Sequence, residues 1–303
     1  MTNSLVKAAM LKREGLKRRL SAAVRVPRLR YINRRSRDSI VGDAPCVVSL
    51  TTYDVRVNSV YFAIESIGEG SVLPRRIILW IDDPEILNAL PDSLKRLQAR
   101  GLEVLFSERN YGPHTKYYPY LLSQDGAHGL AADLVTADDD ILYPRNWLAD
   151  LVTARSRSRE GGLIFCHRAK RVKVVGDGLA PYIEWADCRD VEPSVINFAT
   201  GVSGVLYPAE FLRRLLNTGA GFLDSCPRAD DVWLHYQAVV EGFRIQQVSD
   251  VPVLYPFVPR TQASGLVHAN VLAGENDRQI ANVYTPETVG RIVSEASNIP
   301  SRD

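Results

Sequence analysis

The chain has 303 residues, 46% of them hydrophobic and 24% charged, which suits an ordinary globular protein with a sizeable core. Four scattered cysteines, Cys46, Cys166, Cys188 and Cys226, form neither a CxxC pair nor a zinc-like spacing, which argues against a disulfide framework and for reduced thiols. The net charge of +2 hides a split: residues 1–38 carry 12 basic and 2 acidic side chains, a net of +10, and the remainder nets −8.

The basic segment has apolar residues at roughly helical intervals, at Leu5, Ala9, Leu16, Leu20, Ala23 and Val24. It reads as an extension over residues 1–40, either a solvated tail or a basic amphipathic helix on an anionic membrane surface. Nucleic acid is the weaker partner, because the body is acidic and shows no recognition motif. No apolar run approaches the ~20 residues of a spanning helix, and no signal-peptide core is present. The expected location is cytoplasmic, and peripheral at the inner face of the cell membrane under the amphipathic-helix reading of this segment.

From Pro45 the pattern changes. CVVSLTT predicts a buried strand and residues 57–68 a helix; RRIILWIDD predicts a second strand, and Pro84 to Arg100 a helix that Gly101 stops. LEVLFS is a third strand, the loop ERNYGPH leads into another helical stretch, and ADLVTADDD supplies a fourth strand. Alternating strands and helices imply a mainly parallel α/β sheet flanked by helices. The second half is less regular, with GLIFCHRA, RVKVVGDG, YIEWADC, TGVSGVLYP and the helical PRADDVWLHYQAVVEG. One body over residues 41–303 is expected, with 41–145 binding a nucleotide and 146–303 forming an irregular acceptor side and tail.

In such sheets ligands bind beyond the carboxyl ends of the strands. Thr51-Thr52, Asp82-Asp83, Asn110 to Lys116 and Asp138-Asp139-Asp140 all fall at predicted strand ends or just after them. Three adjacent carboxylates between apolar segments repel one another. A hard divalent cation, Mn²⁺ or Mg²⁺, suits such a cluster because it takes oxygen ligands and bridges to phosphate. Alternation along an extended segment would put Asp138 and Asp140 on one side and Asp139 on the other.

Taken in order, these segments resemble the GT-A glycosyltransferases, nucleotide-sugar-dependent enzymes with a DxD motif, of a bacterial, family 2-like type. The resemblance covers about residues 45–245 and implies a Rossmann-like GT-A fold. VVSLTTYDVR looks like the strand and turn that contact the nucleotide, through Thr51, Thr52 and Arg56. LWID places Asp82 where the family often holds the base or ribose. NYGPHTKYYP looks like the segment closing over the nucleotide, with Lys116 on the diphosphate. TADDD is similar to the DxD strand end, with Asp138 and Asp139 toward the nucleotide sugar and Asp138 and Asp140 on the metal. A C-terminal histidine often completes that ligand set, and His268 and His235 are the candidates. TGVSGVLYP matches the acceptor-side segment, where Gly201 and Gly204 would let backbone approach a sugar. RADDVWL resembles the acidic pair that opens a helix, with Asp231 as base and Asp230 orienting the acceptor; the family usually has Glu first. Trp80, Trp147, Trp185 and Trp233 are candidates for a sugar-stacking platform, against the commoner fate of tryptophan in the core.

The function implied is metal-dependent hexosyl transfer from a nucleoside diphosphate sugar, a UDP-sugar favoured, to a glycan or lipid-linked acceptor, as in polysaccharide biosynthesis, with inversion. The rival readings are a retaining transferase and a nucleotidyl or phosphoryl transferase using the same carboxylates. The latter usually carries a Gly-rich phosphate loop or Walker motif, absent here. A non-catalytic binding module is the third alternative.

Overall fold

The computed structural model describes residues 2–123, 130–261 and 274–298. A long helix α1 (Thr2–Arg35) precedes β1 (Ala44–Thr51), α2 (Val60–Gly68), β2 (Pro74–Ile81), β3 (Leu102–Phe106), β4 (Asp133–Thr136) and β5 (Leu163–Cys166). With the later strands Val205–Tyr207 and Arg244–Gln247, these form a seven-stranded sheet. Its order is Arg244–Gln247, β5, Val205–Tyr207, β4, β1, β2, β3. All neighbours run parallel except Val205–Tyr207, which is antiparallel to both β4 and β5. The expected mainly parallel sheet flanked by helices is therefore present.

The central strands are mostly apolar through their middles, Ser49 excepted, because both faces are covered. Val47, Ile78 and Trp80 point into one core layer, whereas Val48, Leu50, Ile77 and Leu79 point into the other. The helix expected from Pro84 to Arg100 is instead two, Pro84–Asn88 and Asp92–Gln98. Pro91 lies between them, and a proline there cannot donate to a continuing helical ladder.

The second half of α1 packs on the body. Ala22, Leu29 and Asn33 are buried. Asn33 Nδ2 donates to Glu65 Oε1 at 2.9 Å, Arg100 Nη1 donates to the same oxygen at 2.7 Å, and Arg96 Nε donates to Asn33 Oδ1 at 3.0 Å. At 3.6 residues per turn, the body-facing Ala22, Val26, Leu29 and Asn33 lie on one side of α1. Leu16, Leu20, Val24 and Tyr31 lie on the opposite side and are 58–74% exposed.

The strand order sets the position of the site. The chain runs outward from β1 through β2 to β3 and then crosses back to β4 on the far side of β1. The order reverses between β1 and β4, which opens a crevice at their carboxyl ends. The antiparallel strand contributes to the same edge from its other end: Val205 pairs with Thr136, the last residue of β4, so Gly201–Gly204 lie at that edge too.

Candidate functional site

The acidic triad lies in the crevice, beyond β4 rather than on it. β4 stops at Thr136, and Asp139 and Asp140 occupy a turn. Strand alternation therefore does not govern them, and the expected separation of Asp139 from Asp140 is not seen. Both face Arg56, which contacts Asp139 Oδ1 at 2.6 Å and Asp140 Oδ2 at 3.0 Å. Asp138 pairs instead with Lys116, Nζ to Oδ1 at 2.9 Å.

Arg56 belongs to a short 3₁₀ turn, Asp54–Asn58, immediately after β1, and also donates to the Thr261 carbonyl at 2.9 Å. Thr52 is buried and donates through Oγ1 to Asp139 Oδ2 at 2.7 Å. It orients a carboxylate, whereas Thr51 Oγ1 bonds the Trp80 carbonyl at 3.1 Å and closes the strand end. Asp82 follows β2 and is partly buried; its proton affinity is raised by burial and then by Asp83. The cap of the next helix is Asp83, which accepts from the Glu85 and Ile86 amides.

Lys116 ends the 3₁₀ turn Gly112–Lys116, where Gly112 takes the left-handed φ of 59°. Its side chain is 10% exposed, and its ammonium meets Asp230 Oδ2 at 3.0 Å as well as Asp138. One cation thus joins two acidic segments 92 residues apart. Asp230 and Asp231 open the helix Asp230–Val240, where the helix dipole favours negative charge. Asp231 Oδ1 accepts from the Gly201 amide at 2.9 Å. A Cβ on Gly201 would sit 2.9 Å from that oxygen and 3.6 Å from Lys116 Nζ, so only glycine allows this approach. Gly204, with φ 96°, instead leaves room for the Trp147 ring.

Five carboxylates, Asp138, Asp139, Asp140, Asp230 and Asp231, thus share two cations among the described residues of the cluster. Burial, with the neighbouring acids, raises the proton affinities of three of them. Burial, then Asp138 and Asp139, push Asp140 up to about 7. Burial, then Asp230, hold Asp231 well above the usual carboxylate range, although Lys116 opposes this. Asp139 is also raised by burial, against the pull of Arg56.

Among the described residues, no group of three or more His, Cys, Asp or Glu side chains is gathered to hold a metal ion. The donor set nevertheless fits a hard divalent cation. Asp138 and Asp140 offer only oxygen, and a cluster short of positive charge is what such an ion offsets. His268 lies outside the described residues. His235 is corrected as a metal candidate: its Nδ1 meets the Tyr284 hydroxyl at 2.5 Å and its Nε2 the Val195 carbonyl at 2.8 Å, so both ring nitrogens are committed. All four tryptophans are buried, including Trp80 and Trp147 beneath the crevice, and thus supply core rather than an open stacking platform.

The loop carrying the triad is held by residues that no motif announces. The Tyr143 hydroxyl accepts from the Asp138 amide at 2.8 Å, closing the loop on itself, and the Tyr143 amide donates to Ser66 Oγ on α2 at 2.9 Å. The Val258 amide donates to the Asp140 carbonyl at 2.7 Å. Arg25 of α1 reaches the carbonyls of Leu142 and Tyr143.

Fold and site together define a mixed α/β protein with an acidic crevice at the switch point of its sheet. No protein-family model and no curated protein matches the sequence. Solved structures do. The chain is similar to the mannosyltransferase PcManGT from Pyrobaculum calidifontis in complex with GDP-Man and Mn²⁺, at 15% identity, covering 93% of this chain and 78% of that one, with a TM-score of 0.49. It is similar to residues 1–349 of TarS from S. aureus, at 16% identity, 80% and 71% coverage and a TM-score of 0.46. A third likeness, to GalNAc-T7 with UDP, GalNAc and Mn²⁺, has 13% identity and a TM-score of 0.44, covering 71% of this chain but only 46% of that one. Likeness at this level carries no information about donor, acceptor or mechanism.

Proposed function

We propose that the protein is a glycosyltransferase that moves a sugar from a nucleoside diphosphate sugar, a UDP-sugar favoured, to a hydroxyl of a glycan or lipid-linked acceptor. The observation that carries this reading is the convergence of five carboxylates, from two distant segments, on the crevice between β1 and β4, where Lys116 and Arg56 are the cations that meet them among the described residues. Asp138 and Asp140 would hold the divalent cation. When bound, that ion supplies charge neutralisation for the departing diphosphate. Thr52 and Arg56 fix Asp139, Arg56 steadies Asp140, and Lys116 sets the spacing between the donor acids and the acceptor acids. Asp231 takes the proton of the attacking hydroxyl, with Oδ1 held by the Gly201 amide. Its raised proton affinity makes it a stronger base than an ordinary carboxylate. The acceptor oxygen bonds to the anomeric carbon as the bond to diphosphate breaks, so a single displacement inverts that centre.

The opposite stripes of α1 support a setting for this chemistry. The exposed Leu16, Leu20, Val24 and Tyr31 are flanked by exposed Arg13, Lys17, Arg34 and Arg35. No described helix is long and apolar enough to cross a membrane. The helix would lie on an anionic cytoplasmic membrane surface, close to a lipid-linked acceptor. The test is a panel of nucleotide sugars with and without Mn²⁺, read by thermal stabilisation and donor hydrolysis. Metal-dependent stabilisation by one donor is expected; indifference to every donor would overturn the reading. Sedimentation with anionic vesicles at low salt tests the membrane setting, and protein left in the supernatant would refute it.

A further inference from the structure

The carbonyls of Leu142 and Tyr143 point toward α1, and one side chain satisfies both. Arg25 Nη1 donates to Leu142 O at 2.8 Å and Nη2 to Tyr143 O at 2.5 Å. The two residues whose carbonyls it grips have fully buried side chains. Burial lowers the proton affinity of the guanidinium, with Glu69 opposing this. A planar fork matches two successive carbonyls in a way that a lysine point charge cannot.

Tyr143 is also the residue that closes the acidic loop, because its hydroxyl accepts from the Asp138 amide. A shift of Tyr143 therefore moves Asp138. The rest of the loop is fixed from other directions, by Ser66 on the Tyr143 amide and by the Pro256 carbonyl on the Leu142 amide. Arg25 is the part of this frame contributed by the N-terminal helix, about two and a half turns beyond the exposed Leu16.

We infer that Arg25 is a positioning residue for the Asp138–Asp140 loop, so that α1 is part of the frame of the donor site as well as an appendage. This rests on the reading of that loop as the donor-binding one. Arg25 touches neither donor nor acceptor; it acts through the backbone of Leu142 and Tyr143. Arg28, one turn further on, makes a more exposed pair with Glu69 at 2.6 Å and reaches no part of the loop, so it serves as the control.

The experiment compares wild type, Arg25→Gln, Arg25→Lys and Arg28→Gln in the full chain, without vesicles. Amide hydrogen exchange is followed over residues 137–143, Mn²⁺ alone is titrated by thermal shift, and steady-state transfer gives kcat and KM. Arg25→Gln is expected to speed loop exchange at least tenfold, to weaken the Mn²⁺ response and to lower kcat/KM at least tenfold. Arg25→Lys, with a compact ammonium in place of a planar fork, falls between, and it remains informative if the Gln variant fails to fold. Arg28→Gln matches wild type in all three readouts. Unchanged loop exchange in Arg25→Gln, or an equal change in Arg28→Gln, overturns the inference, as does faster exchange with wild-type kcat and KM. A wild-type protein inert to every donor would instead overturn the glycosyltransferase reading. Exchange that differs between Arg25→Gln and Arg28→Gln would then still support the hold of Arg25 on the loop.

Discussion

Asp140→Asn should leave the metal-free protein more stable at pH 8 than the wild type while removing its response to donor and Mn²⁺. The carboxyl group of Asp140 is buried and pushed up to about 7 by burial and its two acidic neighbours. A rise of that size corresponds to roughly 4 kcal/mol of unfavourable charge once the group is fully ionised. That figure is already net of the pull of Arg56, 3.0 Å away, but asparagine buries an amide group whose two N–H donors have no counterpart in the carboxylate, at a cost of about 1–3 kcal/mol where they stay unpaired. Arg56 keeps Asp139, so a net gain of about 1–2 kcal/mol is expected at pH 8. The sign follows from the protons bound. Because the folded value lies above the unfolded one, the wild type binds the extra proton when folded and loses stability as pH rises from ~4 to ~7. Asparagine has no such slope. The advantage of the variant should therefore be absent near pH 4–5, growing through pH 7 and constant above. Urea unfolding in EDTA at pH 5 and pH 8 measures it. A variant less stable than wild type at pH 8, or a difference equal at both pH values, would refute the reasoning. Adding Mn²⁺ should reverse the order, since an ion at a hundred times its Kd stabilises the protein it binds by about 2.7 kcal/mol.

Lys116→Met removes the ammonium shared by Asp138 and Asp230 and should cost about 3–5 kcal/mol at pH 8; the cost should shrink near pH 5, where Asp140 and Asp231 are protonated, as chemical denaturation at the two pH values would show. Asp231→Asn should lower kcat about a hundredfold or more with donor KM nearly unchanged. It should also abolish the rise of kcat with pH that a carboxylate above its usual range imposes, and NMR of the product linkage should show an inverted anomeric centre. Gly204→Ala would drive a methyl to 2.5 Å from the buried Trp147 indole at a φ of 96°; a loss of about 3 kcal/mol in thermal or urea unfolding is expected, with donor affinity retained in whatever fraction stays folded.

Parts of this structure were legible in the sequence because the physics behind them is local. β1 and β2 are largely apolar runs ending in polar residues, the pattern of a strand buried on both faces. The adjacent carboxylates after β4 announced a charge in need of compensation. Other features depend on contacts between distant segments. Where β4 ends is fixed by its pairing with β1, in which Ser49 meets Thr136, so the turn that brings Asp139 and Asp140 to one arginine was hidden. Lys116 was legible as a cation near the strand ends, but not as a bridge to Asp230. Helical spacing marked apolar residues along α1 without indicating which face meets the body, and Arg25 looked like any other residue in a basic segment. Gly201 was expected to make room for a sugar, and it makes room for Asp231.

The knot of Asn33, Glu65 and Arg100 determines how far the chain can be shortened. Trimming up to Ser21 would take away the exposed Leu16 and Leu20 and much of the basic charge while leaving Ala22, Leu29 and Asn33 seated. Removal of everything before residue 41 would strip the amide from a buried carboxylate whose Oε2 already has no hydrogen-bond partner among the described residues. A protease acting on the folded protein should accordingly stall midway along α1. The fragment it leaves would keep its fold and Arg25 but give up Leu16, Leu20, Arg13 and Lys17 of the exposed stripe, so on the proposed membrane setting the division between catalyst and anchor falls within a single helix.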